Sequence, residues 1–274
     1  MSPTYGIISG NGALPRLLAE HCRAASIPYY LHHLGEPAPW LSEQQHPHAL
    51  GRIGAVAATL DAFRAHGVTH VIFAGGLKRP PLTSLAPDAV GAKLLARLGF
   101  SQLRPNGDDS LLRTVAAFLE EQGFQVTGAH ELLGGALIPP RCLSKRQPTD
   151  AENTYIRLGF AALHQLGGLD LGQAVVVAEG RLLAVEGVEG TDALLARCGG
   201  YSFNGAKILV KAPKPQQDQR LDLPALGVDT LHQAAAHGFA GVAALAGQTL
   251  LFERDAAVSA ADAAGLFLIG VPAP

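Results

Sequence analysis

The chain has 274 residues, of which 48% are hydrophobic and 16% charged, so disorder is excluded as its main state and a core can form without staples. A formal net charge of -2 provides no basic field for holding duplex nucleic acid by its phosphates. Cys22, Cys142 and Cys198 lie far apart and form no CxxC pair, which excludes zinc ribbons and disulfide frameworks and points to a reducing compartment.

The opening MSPTYGIISGNGALP has no basic n-region and no long apolar run, so a cytoplasmic location is expected. Tyr5–Ser9 reads as a strand, followed by Gly10-Asn11-Gly12 and a helical stretch over Ala13–Ala25. Ile27–His33 reads as a second strand. Val56, Leu60 and Phe63 share one face of a helix predicted over Gly54–His66. Val68–Ala74 is an apolar, β-branched run ending in Gly75-Gly76, the composition of a buried parallel strand. Leu111, Leu112, Val115, Phe118 and Leu119 form the stripe of a helix over Asp109–Gln122, which Asp108 or Asp109 can cap. Phe124–Thr127 follows as a strand. This alternation predicts a doubly wound α/β domain.

The run Gly134–Pro148 is rich in glycine and proline and separates two periodic regions, so domains are expected over 1–133 and 134–274. The second half opens with a helix, Asp150–Gln165. Strands Ala174–Ala178 and Leu182–Val185 are joined by the turn Glu179-Gly180. A helix at Thr191–Cys198, a strand at Lys207–Lys211 and a helix at Thr230–Ala236 follow. A strand at Thr249–Phe252, a helix near Ala256–Ala264 and a strand at Leu266–Ile269 close the chain. Thr230–Phe252 carries no charge and matches a bilayer in length, but Gly238, Gly241 and Gly247 break it, so it reads as helix, turn and strand in a soluble core.

Four segments can carry chemistry. The strand–glycine–helix opening can present N–H groups and a positive helix end to a phosphate. Read as a nicotinamide fingerprint, with Glu36 as the ribose acid, it fails because Pro15 stands where GxGxxG needs its third glycine. A second segment, Ala74-Gly75-Gly76-Leu77-Lys78-Arg79, places two cations after a strand end, where open α/β sheets bind anions. A third is Pro105-Asn106-Gly107-Asp108-Asp109, whose acids are helix caps unless one carboxylate faces a cleft. The fourth, Lys207–Thr230, alternates Lys211, Lys214, Asp218, Arg220 and Asp222 among Pro213, Pro215 and Pro224. Cations there stabilise phosphate charge, and carboxylates hold a divalent metal or orient a water. A further acidic group, Glu186-Gly187-Val188-Glu189-Gly190-Thr191-Asp192, follows a strand, with Thr191 or Asp192 as the expected helix cap. His32-His33 and His46-Pro47-His48 have no third ligand at a supporting spacing. No GxSxG elbow and no GxxxxGK[ST] loop occurs.

The motifs GIISGNGALP, AGGLKRP, GDDSLLR, LAVEGVEGTDALL and above all LVKAPKPQQDQRLDLPALGVDT make nearly the whole chain similar to the LpxI family. That family more often has a run of glycines where this chain reads Gly10-Asn11-Gly12. The resemblance implies a Rossmann-like N-terminal domain, a second α/β domain and a substrate cleft between them. It implies a magnesium-dependent hydrolase of lipid A biosynthesis in a Gram-negative bacterium. UDP-2,3-diacylglucosamine would be split into UMP and 2,3-diacylglucosamine 1-phosphate by water attacking the sugar-side phosphorus. By the same resemblance Asp222 is the catalytic carboxylate and the candidate magnesium ligand. Substrate-binding candidates from the first half are Gly10, Asn11, Gly12, Ala13, Leu14, Gly75, Gly76, Lys78, Arg79, Asp108 and Asp109. Those from the second are Glu189, Gly190, Thr191, Asp192, Lys211, Lys214, Gln217 and Arg220. Peripheral contact with inner-membrane lipid is implied and no nucleic acid partner; an oligomer stays open. The alternatives are a nucleotide-binding module without hydrolysis, which would leave Asp222 structural, and an NAD-dependent oxidoreductase.

Overall fold

The computed structural model describes residues 2–77, 85–102, 108–169, 171–201 and 205–273, with the side chains of 98–102, 108 and 109 outside that description. The chain divides into two compact units, one of 1–133 with Arg220–Asp222, the other of 134–219 with 223–274.

The first unit carries strands β1 (Tyr5–Ser9), β2 (Tyr29–His33), β3 (His48–Leu50), β4 (His70–Ala74) and β5 (Gln125–Val126), in the order β3-β2-β1-β4-β5. All four pairings are parallel. The helices are α1 (Leu14–Ala24), α2 (Trp40–Glu43), α3 (Val56–Ala65), α4 (Ala89–Gln102), α5 (Asp108–Glu121) and α6 (Ala129–Leu132). Alternation along the strands builds two cores. Ile8, Tyr30 and Val71 join Phe63 of α3 on one face; Ile7, Leu31 and Ile72 join Leu18 of α1 on the other. A sheet buried on both faces needs the continuous apolar runs seen in β1 and β4. The chain leaves β1 toward β2 and β3, then returns to lay β4 on its other side, so the strand order reverses at β1 and β4. Pro15 lies in the first turn of α1, where its missing N–H costs no helical hydrogen bond.

The second unit holds α7 (Asp150–Gly167), β6 (Ala174–Ala178), β7 (Arg181–Val185), α8 (Gly190–Gly199), β8 (Lys207–Lys211) and β9 (Ala225–Leu226). It continues with α9 (Val228–Ala236), β10 (Gly241–Leu245), β11 (Leu250–Leu251), α10 (Arg254–Ala263) and β12 (Phe267–Val271). Its main sheet has the order β12-β10-β8-β6-β7. β8, β10 and β12 run parallel, while β6 is antiparallel to both β8 and β7. The β6–β7 turn has positive φ at both Glu179 (49°) and Gly180 (71°), the conformation whose twist matches a two-residue hairpin. α7 starts on a reciprocal cap: Glu152 N–H donates to Thr149 Oγ1 at 3.3 Å, and Thr149 N–H to Glu152 Oε2 at 2.8 Å. Arg146 pairs with the same buried carboxylate at 2.6 Å.

The glycine- and proline-rich run after residue 133 is pinned to this sheet, with Leu143 N–H donating to Leu268 O and Gly270 N–H to Arg141 O. The uncharged stretch Thr230–Phe252 resolves into α9, β10 and β11, and no helix of the described residues is long and apolar enough to cross a membrane.

Candidate functional site

In the first unit, two glycine corners meet beyond the carboxyl ends of β1 and β4. Asn11 and Gly76 exchange two backbone hydrogen bonds, 2.8 and 3.0 Å, and Gly10 N–H donates to Ala74 O at 2.8 Å. This approach leaves no room for side chains. A Cβ on Gly10 would collide with Gly76 O, and one on Gly75 (φ +79°) with Asn11 O. Gly12 is also left-handed, at φ +102°, but faces open space. α1 begins just beyond with no side-chain cap, so its first-turn N–H groups are not taken by one.

A buried relay fixes the neighbouring loop. Ser9 Oγ lies 3.0 Å from His33 Nδ1, and His33 Nε2 lies 2.7 Å from Glu36 O. The carbonyl can only accept, so Nε2 donates to it, and in the neutral ring Nδ1 is left to accept from Ser9. Asn11 Oδ1 accepts Glu36 N–H at 2.8 Å, so the asparagine ties the loop after β1 to the loop after β2. Ser9 is absent from the candidates read in the sequence, where His33 is weighed only as a metal ligand and Glu36 only as the ribose acid of a nicotinamide site. Ser9 and His33 meet through strand register, which parallel pairing sets.

Lys78 and Arg79 lie outside the described residues, as do the side chains of Asp108 and Asp109.

In the second unit Lys211 ends the central strand β8 and is 6% exposed. Its ammonium donates to Thr191 Oγ1 at 2.9 Å and to Ala225 O at 3.0 Å. Thr191 donates to Glu186 Oε1 at 2.6 Å, and Gln173 N–H donates to Glu186 Oε2 at 2.7 Å. Here the expected cap is corrected. Glu189 is the N-cap of α8, while Thr191 and Asp192 lie inside its first turn and the Thr191 hydroxyl serves Lys211 and Glu186. Gly190 takes φ +81° at the helix start. Glu189 pairs with Arg197 at 3.0 Å; backbone N–H groups and that guanidinium hold its carboxyl below the usual range.

Lys214 and Gln217 close a turn, with Lys214 N–H on Gln217 Oε1 and Gln217 N–H on Lys214 O, both at 3.0 Å. Arg220 pairs with Glu120 of α5 at 2.8 Å within the first unit. Asp222 is exposed and stands in the chain between buried Leu221 and Leu223.

Among the described residues no group of three or more His, Cys, Asp or Glu side chains forms a metal cage. Asp222 is an exposed residue whose carboxylate is the donor type that magnesium takes alongside substrate phosphates. Cys22 and Cys198 are buried, and burial pushes the Cys22 thiol up to about 12.

The LpxI N-terminal domain model matches residues 4–136 and the LpxI C-terminal domain model residues 139–269. The chain belongs to the LpxI family. A relative from Caulobacter vibrioides, the UDP-2,3-diacylglucosamine pyrophosphatase LpxI, is 41% identical over 273 residues, which are 97% of this chain and 96% of the relative.

Proposed function

We propose that this protein hydrolyses the diphosphate of UDP-2,3-diacylglucosamine to UMP and 2,3-diacylglucosamine 1-phosphate, a step of lipid A biosynthesis. The observation that carries the reading is the similarity, nearly end to end, to a protein named for that activity. The first sheet is read as Rossmann-like, with the glycine corners at β1 and β4 offering backbone N–H groups to diphosphate oxygens. Asp222 is the catalytic carboxylate: as the ionised form it orients the attacking water and accepts its proton. The water oxygen bonds to the sugar-side phosphorus, the bond from that phosphorus to the bridging oxygen breaks, and UMP leaves with that oxygen. Asp222 is also the residue that would hold magnesium, which would neutralise diphosphate charge when bound. The acyl chains take the enzyme to the cytoplasmic face of the inner membrane, so deacylated UDP-glucosamine is a far poorer substrate.

The test is UMP release by Asp222→Ala. Its turnover falls by about 10²–10⁴ while circular dichroism stays that of the parent, and Asp218→Ala loses less. Near-parental turnover in Asp222→Ala removes the assignment. Full activity after exhaustive chelation removes magnesium.

A further inference from the structure

We infer that Glu36 is a specificity residue that accepts the ribose hydroxyls of a uridine, an inference that rests on the reading above of a UDP-sugar whose diphosphate sits at the glycine corners. All the residues concerned lie in the first unit. Glu36 follows β2, and β2 is the immediate neighbour of β1, with Ser9 opposite His33 at the carboxyl ends of the two strands. Parallel pairing puts the loops after both strands on one edge of the sheet. In open α/β sheets a nucleotide whose phosphates rest on the first strand's loop lays its ribose over the end of the second, where an acid receives it. Adjacent strands lie about 4.8 Å apart, so the acid after β2 stands within a sugar's reach of a phosphate at the β1 corner. Pro15 removes the third glycine of the dinucleotide fingerprint, but that glycine serves helix–strand packing and not the ribose, so the acid keeps its place.

The backbone of Glu36 is clamped on both sides. Its N–H donates to Asn11 Oδ1 at 2.8 Å, and its carbonyl accepts from His33 Nε2 at 2.7 Å. Behind the imidazole, Ser9 Oγ lies 3.0 Å from His33 Nδ1, and both Ser9 and His33 are buried. Gly35 completes the seat. A Cβ there would stand 2.6 Å from Asn11 Oδ1 and 3.0 Å from Gly10 C, so the loop after β2 packs directly on the glycine corner after β1. A short surface turn does not need a buried serine and imidazole for its own stability, since such bonds do little more than offset the desolvation of the groups that make them. What the clamp does fix is where Glu36 stands relative to the corner, while the residue itself stays exposed. The chemistry then selects the ligand. An ionised carboxylate accepts hydrogen bonds and donates none, and it repels phosphate oxygens. Its partner beside a diphosphate must therefore offer donors without negative charge, and a ribose offers two vicinal hydroxyls to the two carboxylate oxygens.

The experiment compares UDP-2,3-diacylglucosamine with its 2′-deoxyuridine analogue on the full chain. The parent prefers the ribose form in kcat/KM by about 10–100-fold, the range for one hydrogen bond to a charged group. Glu36→Ala brings that ratio close to one by lowering the value for the ribose substrate alone, while its circular dichroism stays that of the parent. Glu36→Gln keeps the shape and one acceptor without the charge, so its ratio falls between the two, and it carries the test if Glu36→Ala does not fold. A parental ratio in the folded variant, or an equal loss on both substrates, overturns the proposal. An active parent that takes both substrates equally overturns this proposal alone, whereas a parent that releases no UMP overturns the proposed activity and this proposal with it.

Discussion

The central strand of each sheet, β1 in the first unit and β8 in the second, runs out into a loop, and the two loops are held by different means. After β1, backbone bonds backbone: Asn11 and Gly76 pair directly, and the glycines matter for what they lack. After β8, side chains do the holding, through Lys211, Thr191 and Glu186. A loop of the first kind is damaged by adding an atom, a loop of the second kind by removing one. The first kind brings two stretches of backbone close together; the second ties a longer loop at its ends through side chains.

That contrast can be broken or sharpened by substitution. The largest loss of stability is expected for Gly75→Ala. A left-handed backbone and a collision with Asn11 O act together there, for roughly 3 kcal/mol by denaturant melting. Lys211→Met comes next. It fills the space but leaves the Ala225 carbonyl without the ammonium, at about 2 kcal/mol. Gly12→Ala is milder, since its Cβ meets nothing within 4 Å and only the backbone strain of about 1 kcal/mol remains. If Gly12→Ala proved as costly as Gly75→Ala, close approach would not be what the corner requires.

Acid gives the smallest effect and acts on the first unit. His32 is buried with no hydrogen-bond partner on either ring nitrogen, and burial lowers its pKa. His46 shifts the same way, through burial and then the charge of Arg23. The unfolded chain binds protons at about 6.5, above the folded values, so this stability is present above that pH and is lost as pH falls toward the folded values. Melting midpoints should therefore drop on acidification, and His32→Leu should flatten the slope. An unchanged slope in that variant would assign the acid sensitivity elsewhere.

Much of this was readable in the sequence. β1 and β4 announce themselves as apolar runs ending in glycine, and the α5 stripe is plain. Other elements escape. α4 contains Gly91 and Gly99, which weaken any helical signal, and β3 and β9 have three and two residues, held by pairing with distant strands. At the site, the glycines and the charged loop were legible because their residue types are unusual in those settings. The partners were not. Thr191 looks like a cap, and only the folded sheet brings Lys211 and Glu186 to its hydroxyl. Ser9 and His33 are 24 positions apart and meet only when β1 and β2 pair in register. Asn11 turns out to bond the Glu36 backbone.

The hairpin β6–β7 carries a consequence in time. Its strands are joined by two residues and can close in about 1–10 μs, whereas β8 pairs with β6 across the intervening β7 and α8. Until then the other edge of β6, the run Ala174–Ala178 that is buried throughout in the finished sheet, stands unpaired. If the hairpin closes first, that edge stays open until β8 pairs, and self-association during refolding should then rise with protein concentration. Pulse-labelled hydrogen exchange would find β6 and β7 protected against each other before β8 is protected at all.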